Sequence, residues 1–222
     1  MSLSIMTPIV GIVALALIAI HIYGCKSPDP RFRNYTKPFL VPSMTAFAFM
    51  LMKLKGLSLP FALPFIAAMA CYTVGDILLM IEDNTKLFIL GMVAFVVGHI
   101  IVAVSFLSTG TKLLYLIISA LVWFAILVFL FFPRLDERNS MTPYLKGYGT
   151  MIAIYGILVT ASTFNGNTVS HVLAVLGVAL FGISDSMIAL RVTGSKDRST
   201  RVMVTYIIAV ALLLAAAYCM AV

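Results

Sequence analysis

Three ionisable side chains stand in otherwise apolar sequence: Asp76 in CYTVGDILLM, Asp185 in FGISDSMIAL and His99 in FVVGHIIVAV. None is needed to build a helix. An ionised group in hydrocarbon costs at least ~2.5–3.5 kcal/mol, so each must face protein, a partner or a water-filled cavity. Carboxyl groups held that way suit proton chemistry. One that keeps its proton is a general acid, and one that gives it up is a base. The same residue types also serve as proton relays in carriers. A buried aspartate can equally be structural, hydrogen-bonded to a Ser, Thr or Tyr of a neighbouring helix.

Spacing ties the two acids together. Asp76 precedes Glu82 by six residues and Asp185 precedes Arg191 by six. At 1.5 Å per residue both are expected ~9 Å in from the same membrane face. His99, thirteen residues past Lys86, is expected ~20 Å along its own helix and therefore deeper. Lys37 stands at the mouth of another apolar run. Asp76, Asp185 and Lys37 are thus expected to share a pocket opening toward the cytoplasmic leaflet, with His99 at its floor.

Small neighbours fit a crowded polar site. Gly75, Gly98, Ser184 and Ser186 adjoin the three groups and let helices approach closely. Tyr72 and Thr73 precede Asp76 by four and three residues, on its helix face. Tyr148 and Tyr155, seven apart, share a face of another helix. His99, Ser184, Tyr72, Tyr148 and Tyr155 are the accessory candidates. His99 and Lys37 each keep a plain alternative, a packed histidine and an interfacial lysine. His21 and His171 lie near run ends and read as interfacial, while Trp123, Phe88 and Phe95 read as packing or lipid-facing aromatics.

The elements that must position these residues are membrane helices. Of 222 residues, 62% are hydrophobic and 10% charged, against about a quarter charged in a soluble domain. The apolar residues come in runs near the ~20 needed to span a bilayer. Helices satisfy their own backbone there. The runs give about eight spans: Pro8–Tyr23, Pro38–Met52, Leu59–Ile81, Lys86–Leu107, Lys112–Phe132, Tyr144–Ser162, Val169–Leu190 and Arg201 onward. The expected fold is a single all-α polytopic domain over residues 1–222, with Gly24–Lys37 a polar connection. A small residue followed by Asp occurs in the third and seventh spans, a faint echo of two parallel four-helix halves.

Twelve of the fifteen Lys and Arg residues fall in odd-numbered connections and three, Lys53, Lys55 and Lys112, in even ones. Bases mark the cytoplasmic side, which puts both termini on the opposite side. The net charge of +7 is explained by topology and anionic lipid headgroups. No zinc-finger spacing, lysine-rich tail or aromatic-basic stripe supports a nucleic-acid partner. Cys25, Cys71 and Cys219 fit no metal or redox spacing. The first run lacks a basic n-region and an Ala-x-Ala site, so it reads as a retained span. A bacterial inner membrane is the expected location. The oligomeric state stays open.

The residues resemble the YhhN family, which includes the transmembrane lysoplasmalogenases. The resemblance is carried by Lys37-Pro38, Gly75-Asp76-Ile77-Leu78-Leu79, Phe88, Gly91, Phe95, Gly98-His99, Gly177, Phe181, Ser184-Asp185-Ser186 and Thr205-Tyr206. It implies an eight-helix hydrolase that cleaves the vinyl ether bond of a lysoplasmalogen, giving a fatty aldehyde and a glycerophospho-base. It also implies that Asp76 and Asp185 are the catalytic pair. Such chemistry needs one protonated and one ionised carboxyl, and no serine nucleophile, metal or cofactor. Lys37 is then the expected ligand of the headgroup phosphate. The substrate lysophospholipid and membrane lipids are the implied partners. The rival reading is a proton-coupled transporter of a small solute or lipid.

Overall fold

Apolar runs leave backbone groups no partner but their own helix. In a computed structural model, which describes residues 2–27, 29, 31–81, 84–194 and 199–220, the runs fold into eight α-helices. These are α1 (Leu3–Lys26), α2 (Arg31–Leu54), α3 (Leu59–Leu78), α4 (Thr85–Leu107), α5 (Leu113–Ala125), α6 (Thr142–Ala161), α7 (Thr168–Val192) and α8 (Ser199–Met220). Among the described residues, the only β feature is a bridge between Thr111 and Ser162. Six helical segments are long and apolar enough to cross a bilayer, which makes this an integral membrane protein. α2 and α6 are not among the six.

The helix ends follow local chemistry. α2 begins seven residues before the expected Pro38, so most of the expected Gly24–Lys37 connection is helix. The cause is Asp29, whose carboxylate accepts from the Arg31 backbone N–H at 2.9 Å and from Arg31 Nε at 2.9 Å. These two Arg31 contacts, the side-chain one first, hold the Asp29 carboxyl below its usual range. The start is therefore capped at neutral pH. Pro38 and Pro42 then lie inside α2, each withdrawing one donor from the helical ladder. Asn84 caps α4 by accepting from the Lys86 and Leu87 N–H groups at 3.1 Å. Asn167 caps α7 through Ser170 N–H at 3.0 Å.

The fifth expected span is not uniform. After Ala125 it widens into a π-helical segment, Ile126–Phe131, and closes with a 3-10 turn, Phe132–Arg134. The sequence showed only its apolar run. Among the charged residues of the connections, Glu82, Asp83, Lys196, Asp197 and Arg198 lie outside the described residues.

By contact, the chain forms two units, Met1–Val102 with Ala217–Val222, and Ala103–Ala216. Within the first, α1 packs on α2 and α2 on α3. The α3–α4 approach is close because Gly75 and Gly98 carry no side chain. A Cβ at Gly75 would stand 2.6 Å from the Phe95 ring, and one at Gly98 2.5 Å from the Tyr72 ring. Within the second, α5 packs on α6 and α6 on α7. There Gly156 lies under the Trp123 ring and Gly149 under Phe131.

The α4–α5 and α6–α7 connections are tied together inside the second unit. Thr163 Oγ1 donates to the Thr109 carbonyl at 2.7 Å, and Phe164 N–H to Thr109 Oγ1 at 2.8 Å. Phe164 and Asn165 take left-handed conformations (φ 51° and 52°) to make that turn. Large apolar side chains such as Leu15 (67% exposed) and Phe129 (71%) point away from the protein. Lipid is the medium that covers such residues.

Candidate functional site

The first unit gathers six polar side chains. α2 presents Lys37 and α3 presents Asp76, with Lys37 Nζ 3.4 Å from Asp76 Oδ1. Only 15% of the lysine side chain and 4% of the aspartate side chain is exposed. Each charge is therefore largely out of contact with the surroundings and is compensated by the other, as buried charges must be. One turn earlier on α3, the Tyr72 hydroxyl is 2.8 Å from His99 Nδ1 on α4. Both residues are buried. The Phe95 ring packs on Tyr72 with centroids 5.6 Å apart. Gly75 and Gly98 make room for these rings.

His21 and Thr36 form the remaining contact. The Thr36 hydroxyl donates to the Phe32 carbonyl at 2.6 Å, so it accepts from His21 Nδ1–H at 2.8 Å. This network fixes the Nδ1–H tautomer. His21 is wholly buried. His21 lies near the C-terminal end of α1, where α1 packs on α2 and Thr36 offers an oxygen. The sequence held one clue, a histidine inside an apolar run, but no sign of its partner.

The second unit holds the other acid. Tyr148 on α6 donates to Asp185 Oδ2 on α7 at 2.7 Å. Asp185 is 7% exposed and Tyr155, two turns beyond Tyr148, is buried. Ser184 Oγ donates to the Val202 carbonyl of α8 at 3.1 Å. Ser186 Oγ donates to the Gly182 carbonyl of its own helix at 2.6 Å. His171 is bound through Nε2 to the Thr160 carbonyl at 3.0 Å and stacks on Phe164. Trp123 Nε1 donates to Thr160 Oγ1 at 3.2 Å.

The structure thus brings together Lys37 with Asp76, Tyr72 with His99, and Tyr148 with Asp185. Asp76 lies in the last turn of α3, which stops at Leu78, whereas Asp185 lies about two turns before the end of α7 at Val192. α3 gives way to a turn at Leu79 and Met80, earlier than the apolar run through Ile81 implied. Among the described residues, no group of three or more His, Cys, Asp or Glu is placed to hold a metal ion.

Residues 32–217 match the model of the YhhN family. No curated protein and no solved structure matches the chain.

Proposed function

Because the chain belongs to the YhhN family, we propose that it hydrolyses the vinyl ether bond of a lysoplasmalogen in the membrane, with Asp76 and Asp185 supplying the acid and the base. The reading is supported above all by two aspartates buried in membrane helices, each held by a side chain of the preceding helix. A carboxyl fixed by a lysine or a phenol is oriented for proton transfer, which general acid–base catalysis requires.

The protonated carboxyl delivers its proton to the β-carbon of the C=C–O group. The electron pair of the double bond forms the new C–H bond, and positive charge spreads over the α-carbon and the ether oxygen. The ionised carboxylate takes a proton from water as the water oxygen bonds to the α-carbon. The carboxylate left by the first step takes the hydroxyl proton of the resulting hemiacetal as the bond from the α-carbon to the glycerol oxygen breaks, and the carboxyl that accepted the water proton gives it to that oxygen. The glycerol oxygen leaves with a proton, and fatty aldehyde and glycerophospho-base result. One water is consumed and the two carboxyls end as they began. Tyr148 orients Asp185 in this scheme. Tyr72, His99, Ser184 and Tyr155 support the helices that carry the pair. We assign the protein to a bacterial inner membrane.

The test is aldehyde release by purified protein from 1-alkenyl, 1-acyl and amide lysolipids. Aldehyde is expected from the alkenyl substrate. Asp76→Asn and Asp185→Asn are each expected to lower turnover by about 10²–10⁴-fold. Near-normal turnover in either variant rejects the pair. Absence of aldehyde, together with proton-coupled uptake into vesicles, would make the protein a carrier instead.

A further inference from the structure

The two aspartates are held in parallel ways by unlike partners. In each unit the second helix reaches the aspartate on the third. α2 sends Lys37 to Asp76 at 3.4 Å, and α6 sends Tyr148 to Asp185 at 2.7 Å. The first partner carries a full positive charge, and the second is a neutral hydroxyl donor. A lysine head buried to 15% exposure needs an anion within reach, and Asp76 is the anion it has.

Resting on the hydrolase reading above, we infer that Lys37 is the counter-ion that keeps Asp76 ionised, rather than a ligand of the substrate's phosphate. Asp76 is then the base that accepts the water proton. Since the reaction requires one carboxyl of each kind, Asp185 delivers the proton to the β-carbon. Lys37 touches no reacting atom in this scheme. It is a positioning residue acting through Asp76.

This placement is opposed to the simpler sequence expectation, and the two differ in what they predict. A phosphate ligand binds ground and transition states alike, so its loss raises KM and spares kcat. A counter-ion of the base is felt in kcat, whatever headgroup the substrate carries.

The experiment compares wild type with Lys37→Met and Lys37→Arg on two substrates, an alkenyl glycerophosphoethanolamine and a 1-alkenylglycerol without phosphate. Lys37→Met is expected to lower kcat about 10²-fold with little change in KM. The deficit should be the same on both substrates, and Lys37→Arg should recover part of it by restoring the charge. A deficit confined to KM, or one that vanishes on the phosphate-free substrate, overturns the inference. So does an unchanged kcat.

A second measurement, thermal unfolding in detergent, needs no activity. Lys37→Met takes the counter-charge from a buried carboxylate and should lower the melting temperature, while Lys37→Met/Asp76→Asn should recover much of the loss. No recovery would mean that the pair is not what Lys37 serves. Wild-type protein that forms no aldehyde would instead fell the hydrolase reading, and the unfolding comparison would still decide the ion pair.

Discussion

Tyr72 and His99 show how one side chain can be read two ways from sequence and only one way from structure. Tyr72 precedes Asp76 by one helical turn, which placed it beside the acid. Its hydroxyl instead meets His99 Nδ1 at 2.8 Å across α3 and α4, with both residues buried. The contact is interhelical, so no spacing within α3 reveals it. Removing the hydroxyl leaves a polar nitrogen inside the protein with one contact fewer. Tyr72→Phe is expected to cost about 1 kcal/mol, a typical size for a hydrogen bond between membrane helices. Thermal unfolding in detergent measures it, and a variant as stable as wild type would show that the hydroxyl contributes nothing to the packing.

At the scale of elements, the glycines of α3 and α4 set how near two helices can come. Tyr72 fits because Gly98 has no side chain, and a Cβ there would stand 2.5 Å from its ring. The ring cannot simply withdraw, since its hydroxyl is fixed to His99. Gly98→Ala should therefore destabilise by about 1–3 kcal/mol through overpacking. Gly147 on α6 has nothing within 4 Å of its Cβ position. Gly147→Ala should stabilise by about 0.5–1 kcal/mol, because a helical glycine costs that much relative to alanine. Opposite signs in the two melting curves are the expected result, and loss of stability in both would mean that close approach is not what singles out Gly98.

The same scale shows what the sequence could carry. Apolar run length is a property of the chain, so all eight helices were legible. The early start of α2 was not, because Pro38 read as the start of the span while the deciding contact was Asp29 with Arg31. The π-helical turn in Ile126–Phe131 left no mark in composition. For the site, the intramembrane position made Asp76, Asp185 and His99 visible as exceptions. Lys37 was expected in one pocket with Asp76, whereas Tyr148 as the partner of Asp185 and Tyr72 as the partner of His99 come from other helices, and packing assigns them.

At the scale of the whole molecule, α2 and α6 are long enough to cross the bilayer although they fall short of the other six in hydropathy. α2 is 24 residues, ~36 Å at 1.5 Å per residue, which is long enough for a ~30 Å core. Its polar groups lower the mean but are largely answered within the protein. Lys37 is paired with Asp76 and Thr36 with His21, while Ser43 and Thr45 donate to carbonyls of their own helix. α6 has 20 residues, ~30 Å in length. Its one lysine, Lys146, reaches back to Glu137 in the preceding connection at 2.6 Å, the snorkelling expected of a lysine near a helix end. Hydropathy counts a polar side chain as exposed to lipid whether or not the protein satisfies it, which is why both helices score low and can still span. Single cysteines at Ser27 and Ser58, in a background without the three native cysteines, should react with a membrane-impermeant maleimide from opposite faces. Ser27 should be labelled from the cytoplasmic side, where the bases of the odd connections place it. Labelling of both from one face would lay α2 on the membrane surface and take Lys37 out of the bilayer's depth, and the case for a counter-ion in a dry site would fall with it.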